Sequence, residues 1–166
     1  MILGMSVGAF TILHVIITLV AIGSGLIVVG GLFASDRLPV TTALFLFTTA
    51  LTSVTGFLFP IHGFSPALGV GILACVILAA ALFALYKEHL VGGWRWIYVI
   101  TVVASLYFNV FVLVVQSLVK VSALNALDPT QTEPAFAITQ AVVLAIFVLI
   151  ALIAVSKFRP PKTVRV

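Results

Sequence analysis

The residues of this chain that could do chemistry are few, mostly uncharged, and set inside or beside apolar runs. His14, Thr52, Asn109, Gln116 and Gln140 each interrupt a stretch long enough to cross a bilayer, while His62 and Glu133 stand in the connections. A neutral imidazole offers one donor and one acceptor, an amide two donors and a carbonyl oxygen, and a hydroxyl serves either way. Such a set can satisfy itself or hold a polar ligand. An amide facing lipid would forfeit its hydrogen bonds, so these groups must look at protein, water or a ligand.

Spacing groups them. Thr101, Ser105, Asn109 and Gln116 recur at steps of four, four and seven, which stacks them on one side of a helix. Thr11, His14, Thr18, Ala21 and Gly25 share a second face, and Thr41, Thr48, Thr52 and Thr55 a third. Counted inward from the outer end of each run at about 1.5 Å per residue, His14 and Thr52 lie about 10 Å deep, Asn109 about 12–13 Å and Gln140 about 5 Å. Four runs thus feed one layer. Over it stand His62, held between Pro60 and Pro66, and the segment carrying Asp128, Gln131 and Glu133. A pocket of this kind suits a quinone or a lipid head group, with Phe57, Phe59, Tyr107 and Phe108 as apolar walls.

Other readings compete. Hydroxyls, amides and imidazoles also join membrane helices simply as interhelical glue. His14, His62 and a carboxylate from Asp128 or Glu133 are ligand types for zinc, copper, iron or haem, yet they share no diagnostic spacing. A transporter or channel subunit needs a continuous polar path, and the inner half offers only Thr41, Thr42 and Thr101. No charged side chain lies inside a run, which speaks against an enzyme by leaving no intramembrane proton relay or carboxylate pair. The identity of any cofactor stays open.

The elements that must position these groups follow from composition. Of 166 residues, 63% are hydrophobic and 7% charged, with a mean hydropathy of +1.38; soluble domains average about 45–50% apolar and 25% charged. The fold expected is an all-α integral membrane bundle of five transmembrane helices, with spans at about 7–33, 41–59, 67–86, 94–118 and 137–156 and a long outer loop at 119–136. Arg37, Lys87, Arg95, Lys157, Arg159, Lys162 and Arg165 fall on one side of this topology and Lys120 alone on the other, which places the amino terminus outside and the carboxy terminus in the cytoplasm.

The net charge of +4 is spread over the ends of apolar runs, so it reads as topology and not as a nucleic-acid surface. A single cysteine, Cys75, excludes an intrachain disulfide. The first run lacks a basic leader and is too long for a signal peptide, so it is expected to be retained. Trp94, Trp96, Tyr98 and Tyr86 read as interfacial anchors. Gly23, Ser24, Gly25, Gly30 and Gly31, with Gly69, Gly71 and Ala74, read as close-packing surfaces. Thr132 or Glu133 is placed to start the fifth helix, with Pro134 in its first turn.

The strings TTALTSVTGFLFP (48–60), GGWRWIYV (92–99), LYFNVFVLVVQS (106–117) and PTQTEPAF (129–136) resemble a family of small, uncharacterised bacterial multi-span inner-membrane proteins. That resemblance implies a bacterial source and the cytoplasmic membrane, and brings no activity with it. The expectation is a non-enzymatic binding or accessory protein. Its partners would be the lipid bilayer, a small ligand with apolar and polar parts, and a membrane-complex subunit or second copy of the chain.

Overall fold

The computed structural model describes residues 1–60, 63, 66–121 and 134–160, without the side chains of residues 66, 67 and 135. It is an all-helical bundle: α1 Val7–Ala34, α2 Pro39–Phe57, α3 Pro66–Leu82, α4 Trp94–Lys120 and α5 Pro134–Lys157. Among the described residues, five helices are long and apolar enough to cross a membrane. Among the described residues there is no strand, only an isolated antiparallel bridge between Ile2 and Met5. Outward-facing Ile12, Ile16, Ile27, Phe47, Val76 and Leu152 form an apolar belt of the kind a hydrocarbon solvent would wet.

Local chemistry sets the helix ends. Ser6 starts α1, its Oγ accepting from Ala9 N–H at 3.2 Å. Ser35 closes α1 in the left-handed conformation, and Pro39 opens α2, where its fixed φ and missing N–H cost nothing. The turn between is tight. Asp36 Oδ1 accepts from Leu38 N–H at 3.2 Å, and Leu38, itself left-handed at φ 42°, lies so close to Gly31 that a Cβ there would sit 2.6 Å from its Cδ1. In the neighbouring pair, α3 runs into a π turn over Phe83–Lys87, closed by Glu88 N–H on the Phe83 carbonyl at 3.0 Å.

α1 packs most extensively along α2, and α4 lies in the middle, touching α1, α3 and α5. The five helices alternate in direction, so the α1–α2 and α3–α4 turns and the end of α5 gather at one basic end of the bundle. The core next to that end is apolar. Val28, Leu32, Phe45, Leu46, Val99, Val102 and Leu106 are buried, and Gly25 is the point where three helices meet. A Cβ on Gly25 would lie 2.7 Å from Leu106 Cδ1 and 2.8 Å from Phe45 Cε2. By contrast, Gly23 and Gly30 face open space, so only part of the small-residue stripe in α1 serves close packing.

The basic end is locked by Arg95. Its guanidinium donates to the carbonyls of Val155, at 3.1 Å, and Phe158, capping the last turn of α5 where free carbonyls carry partial negative charge. Arg159 N–H donates to Ser35 Oγ at 2.7 Å, tying the same segment to the end of α1. Tyr98, expected as an interfacial anchor, is instead buried, its ring against Phe158 and its hydroxyl within reach of Thr42. Trp96 and Tyr86 are exposed, as anchors need to be.

Candidate functional site

The polar groups meet along α2. Three rungs leave this helix: Thr55 to His14, Thr52 to Thr18, and Thr49 to Asn109. The positions are three residues apart, so the ladder climbs about 9 Å at 1.5 Å per residue. It joins α1 on one side and α4 on the other, in the half of the bundle away from the basic end.

The first rung favours one tautomer of His14. His14 Nδ1 lies 2.7 Å from Thr55 Oγ1, and that hydroxyl donates its one proton to the Leu51 carbonyl at 2.7 Å. With that proton on the carbonyl, Thr55 accepts, and the network assigns the hydrogen to Nδ1. In the neutral ring Nε2 is then a lone-pair acceptor, and among the described residues it has no hydrogen-bond partner. His14 is half-buried, with Phe59 edge-on to its ring at 5.4 Å and Gly56 leaving room for Cε1. Phe10, one turn earlier on α1 and fully buried, also packs against Phe59, at 5.1 Å. Lys120, at the end of α4, stands within electrostatic reach of the imidazole.

The second rung is weaker. Thr18 Oγ1 donates to the His14 carbonyl at 2.9 Å and lies 3.4 Å from Thr52 Oγ1. In the third, Asn109 Nδ2 donates to Thr49 Oγ1 at 3.1 Å, with both residues buried. Thr49 was not singled out by the sequence stripe through Thr48 and Thr52. Thr48 turns its hydroxyl onto the Leu44 and Phe45 carbonyls of its own helix.

Not every expected member joins the ladder. Gln140 is buried, and among the described residues neither its Nε2 nor its Oε1 has a hydrogen-bond partner; Ser105 Oγ, one turn from Asn109, is likewise buried and has none among them. Gln116 is exposed, so the α4 stripe does not carry the layer beyond Asn109. Of the proposed aromatic walls, Phe59 covers His14, whereas Phe57 lies against Gly71 of α3. Tyr107 packs on Phe108, Phe111 and Phe147, toward α5. His62, Asp128, Gln131 and Glu133 lie outside the described residues, as does Thr132. Among the described residues no three His, Cys, Asp or Glu side chains gather closely enough to hold a metal ion.

This arrangement can hold a polar head at the edge of an apolar bundle, but offers it no route through. Gly25, Phe45 and Leu106 close the interior between the ladder and the basic end. No family model matches the chain, nor does any curated protein or solved structure.

Proposed function

We propose that the chain is a non-enzymatic, five-span protein of a bacterial inner membrane, amino terminus outside and carboxy terminus cytoplasmic. It binds an amphiphile whose hydroxyl donates to His14. A quinol or the polar head of a lipid has that chemistry. The observation that carries this reading is the His14–Thr55 pair: a half-buried imidazole committed at Nδ1 and offering a bare acceptor at Nε2. Polar groups at such depth are costly to keep without a use. The buried, unpartnered amide of Gln140 adds a second group able to meet a ligand carbonyl. The closed middle of the bundle favours a binding or accessory protein over a channel.

The test is a titration of purified protein in nanodiscs with a quinol and with its oxidised quinone. The reduced form, which donates, should bind more tightly, and His14→Ala should weaken it at least tenfold. Equal binding of both forms, indifferent to His14→Ala, would remove the quinol from consideration.

A further inference from the structure

At the basic end, away from the His14 ladder, a cavity of about 220 Å³ lies between the start of α2 and the end of α3, lined by Arg37, Pro39, Thr42, Leu85 and Tyr86. One water needs only about 10–15 Å³, so the space admits a group far larger. Its walls are built by two local irregularities. After the left-handed Leu38, the opening turn of α2 lines the cavity through Pro39 and Thr42, and no side chain caps that helix start. The π turn over Phe83–Lys87 brings Leu85 and Tyr86 to the other wall.

The polar lining is suited to an anion. A guanidinium carries five N–H donors in a fork matched to phosphate, and it can serve more than one partner. The Tyr86 and Thr42 hydroxyls flank it, although Thr42 already donates to the Arg37 carbonyl at 2.8 Å. The carboxylate next to Arg37 in sequence, Asp36, is turned onto Leu38 N–H. Leu85 and Pro39 supply an apolar side, and the exposed Val40 and Phe83 stand within two residues of them in sequence. A charged head and an apolar flank side by side describe a phospholipid better than a free ion.

We propose that this cavity binds the phosphate of an anionic phospholipid, with Arg37 as the chief donor and Tyr86 as a second. The test is native mass spectrometry of the full chain released from micelles supplied with phosphatidylglycerol, phosphatidylcholine or inorganic phosphate alone. One phosphatidylglycerol should be retained at least tenfold more than phosphatidylcholine. Arg37→Gln should abolish that preference and Tyr86→Phe reduce it, while Lys157→Gln, an equal charge loss at an exposed residue of the same end, leaves it unchanged. His14→Ala should also leave it unchanged, which separates this site from the one at the ladder. Equal retention of both lipids, or equal losses in Arg37→Gln and Lys157→Gln, would overturn the proposal. Displacement of the lipid by inorganic phosphate would assign the cavity to a free anion instead. A thermal melt of each variant verifies that it is folded.

Discussion

Asn109 on α4 donates its amide to Thr49 on α2 across 3.1 Å, and the two are among the few buried polar side chains of the bundle that satisfy each other between helices. In apolar surroundings such a bond is worth about 0.6–1.7 kcal/mol, because the separated helices also find partners for their polar groups.

A double-mutant cycle should show this. Asn109→Leu and Thr49→Val should each destabilise the purified protein by no more than about 2 kcal/mol, with a coupling near 1 kcal/mol between them. Unfolding in mixed micelles gives both numbers. A coupling near zero would mean that the rung contributes nothing.

Removing an unpartnered group should act in the opposite sense. Gln140 and Ser105 bury polar atoms with no partner among the described residues, and a buried unsatisfied group costs about 1–3 kcal/mol. Gln140→Leu and Ser105→Ala are therefore expected to raise stability, measured by the same unfolding. If Gln140 serves a ligand, its leucine variant gains stability and loses binding together.

The glycines of α1 predict a contrast. At Gly25 a methyl group would collide with Phe45 and Leu106, both fully buried, so Gly25→Ala should cost about 1–3 kcal/mol. At Gly23 a methyl meets nothing within 4 Å, and Gly23→Ala should be neutral or stabilising by up to about 1 kcal/mol through helix propensity. Thermal melts of the two variants, side by side, check the sign of each.

The cap on α5 predicts a local effect. Arg95→Gln should release the Val155 and Phe158 carbonyls, at a cost of about 1.5–3 kcal/mol for hydrogen bonds to a charged donor. Hydrogen exchange should rise first in the last turn of α5 and at the end of α1, which Arg159 ties together through its backbone. Arg159→Gln keeps that backbone N–H and should change little.

Much of the scaffold was legible because a bilayer-length apolar run admits few structures. The five runs, the proline at the start of α2 and the prolines flanking the second connection all stand out in the sequence. The His14 face and the Thr52–Thr55 stretch were legible too, since ionisable and hydroxyl groups inside such runs are rare. What periodicity does not supply is the rotation of each helix. Thr48 and Thr49 are about 100° apart on the helix, and only the packing of α2 against α4 decides that Thr49 faces Asn109. The same ambiguity turned Tyr98 inward onto Phe158 when its place at the end of a run suggested an anchor. Gln116 shares the stripe of Asn109, yet it stands two turns further along, about level with the last residues of α2, and there it is exposed. Arg95 read as a topological charge, because a contact with the end of a helix 60 residues later leaves no local pattern.

The measurement closest to the central claim is the native mass and visible absorption spectrum of the gently solubilised protein, before and after His14→Ala. The account predicts a bound small molecule in the hydroxyl-bearing amphiphile class, lost when the imidazole is removed, with the fold intact by thermal melt. A bare polypeptide mass that His14→Ala leaves unchanged would contradict it and reduce the ladder to glue between helices.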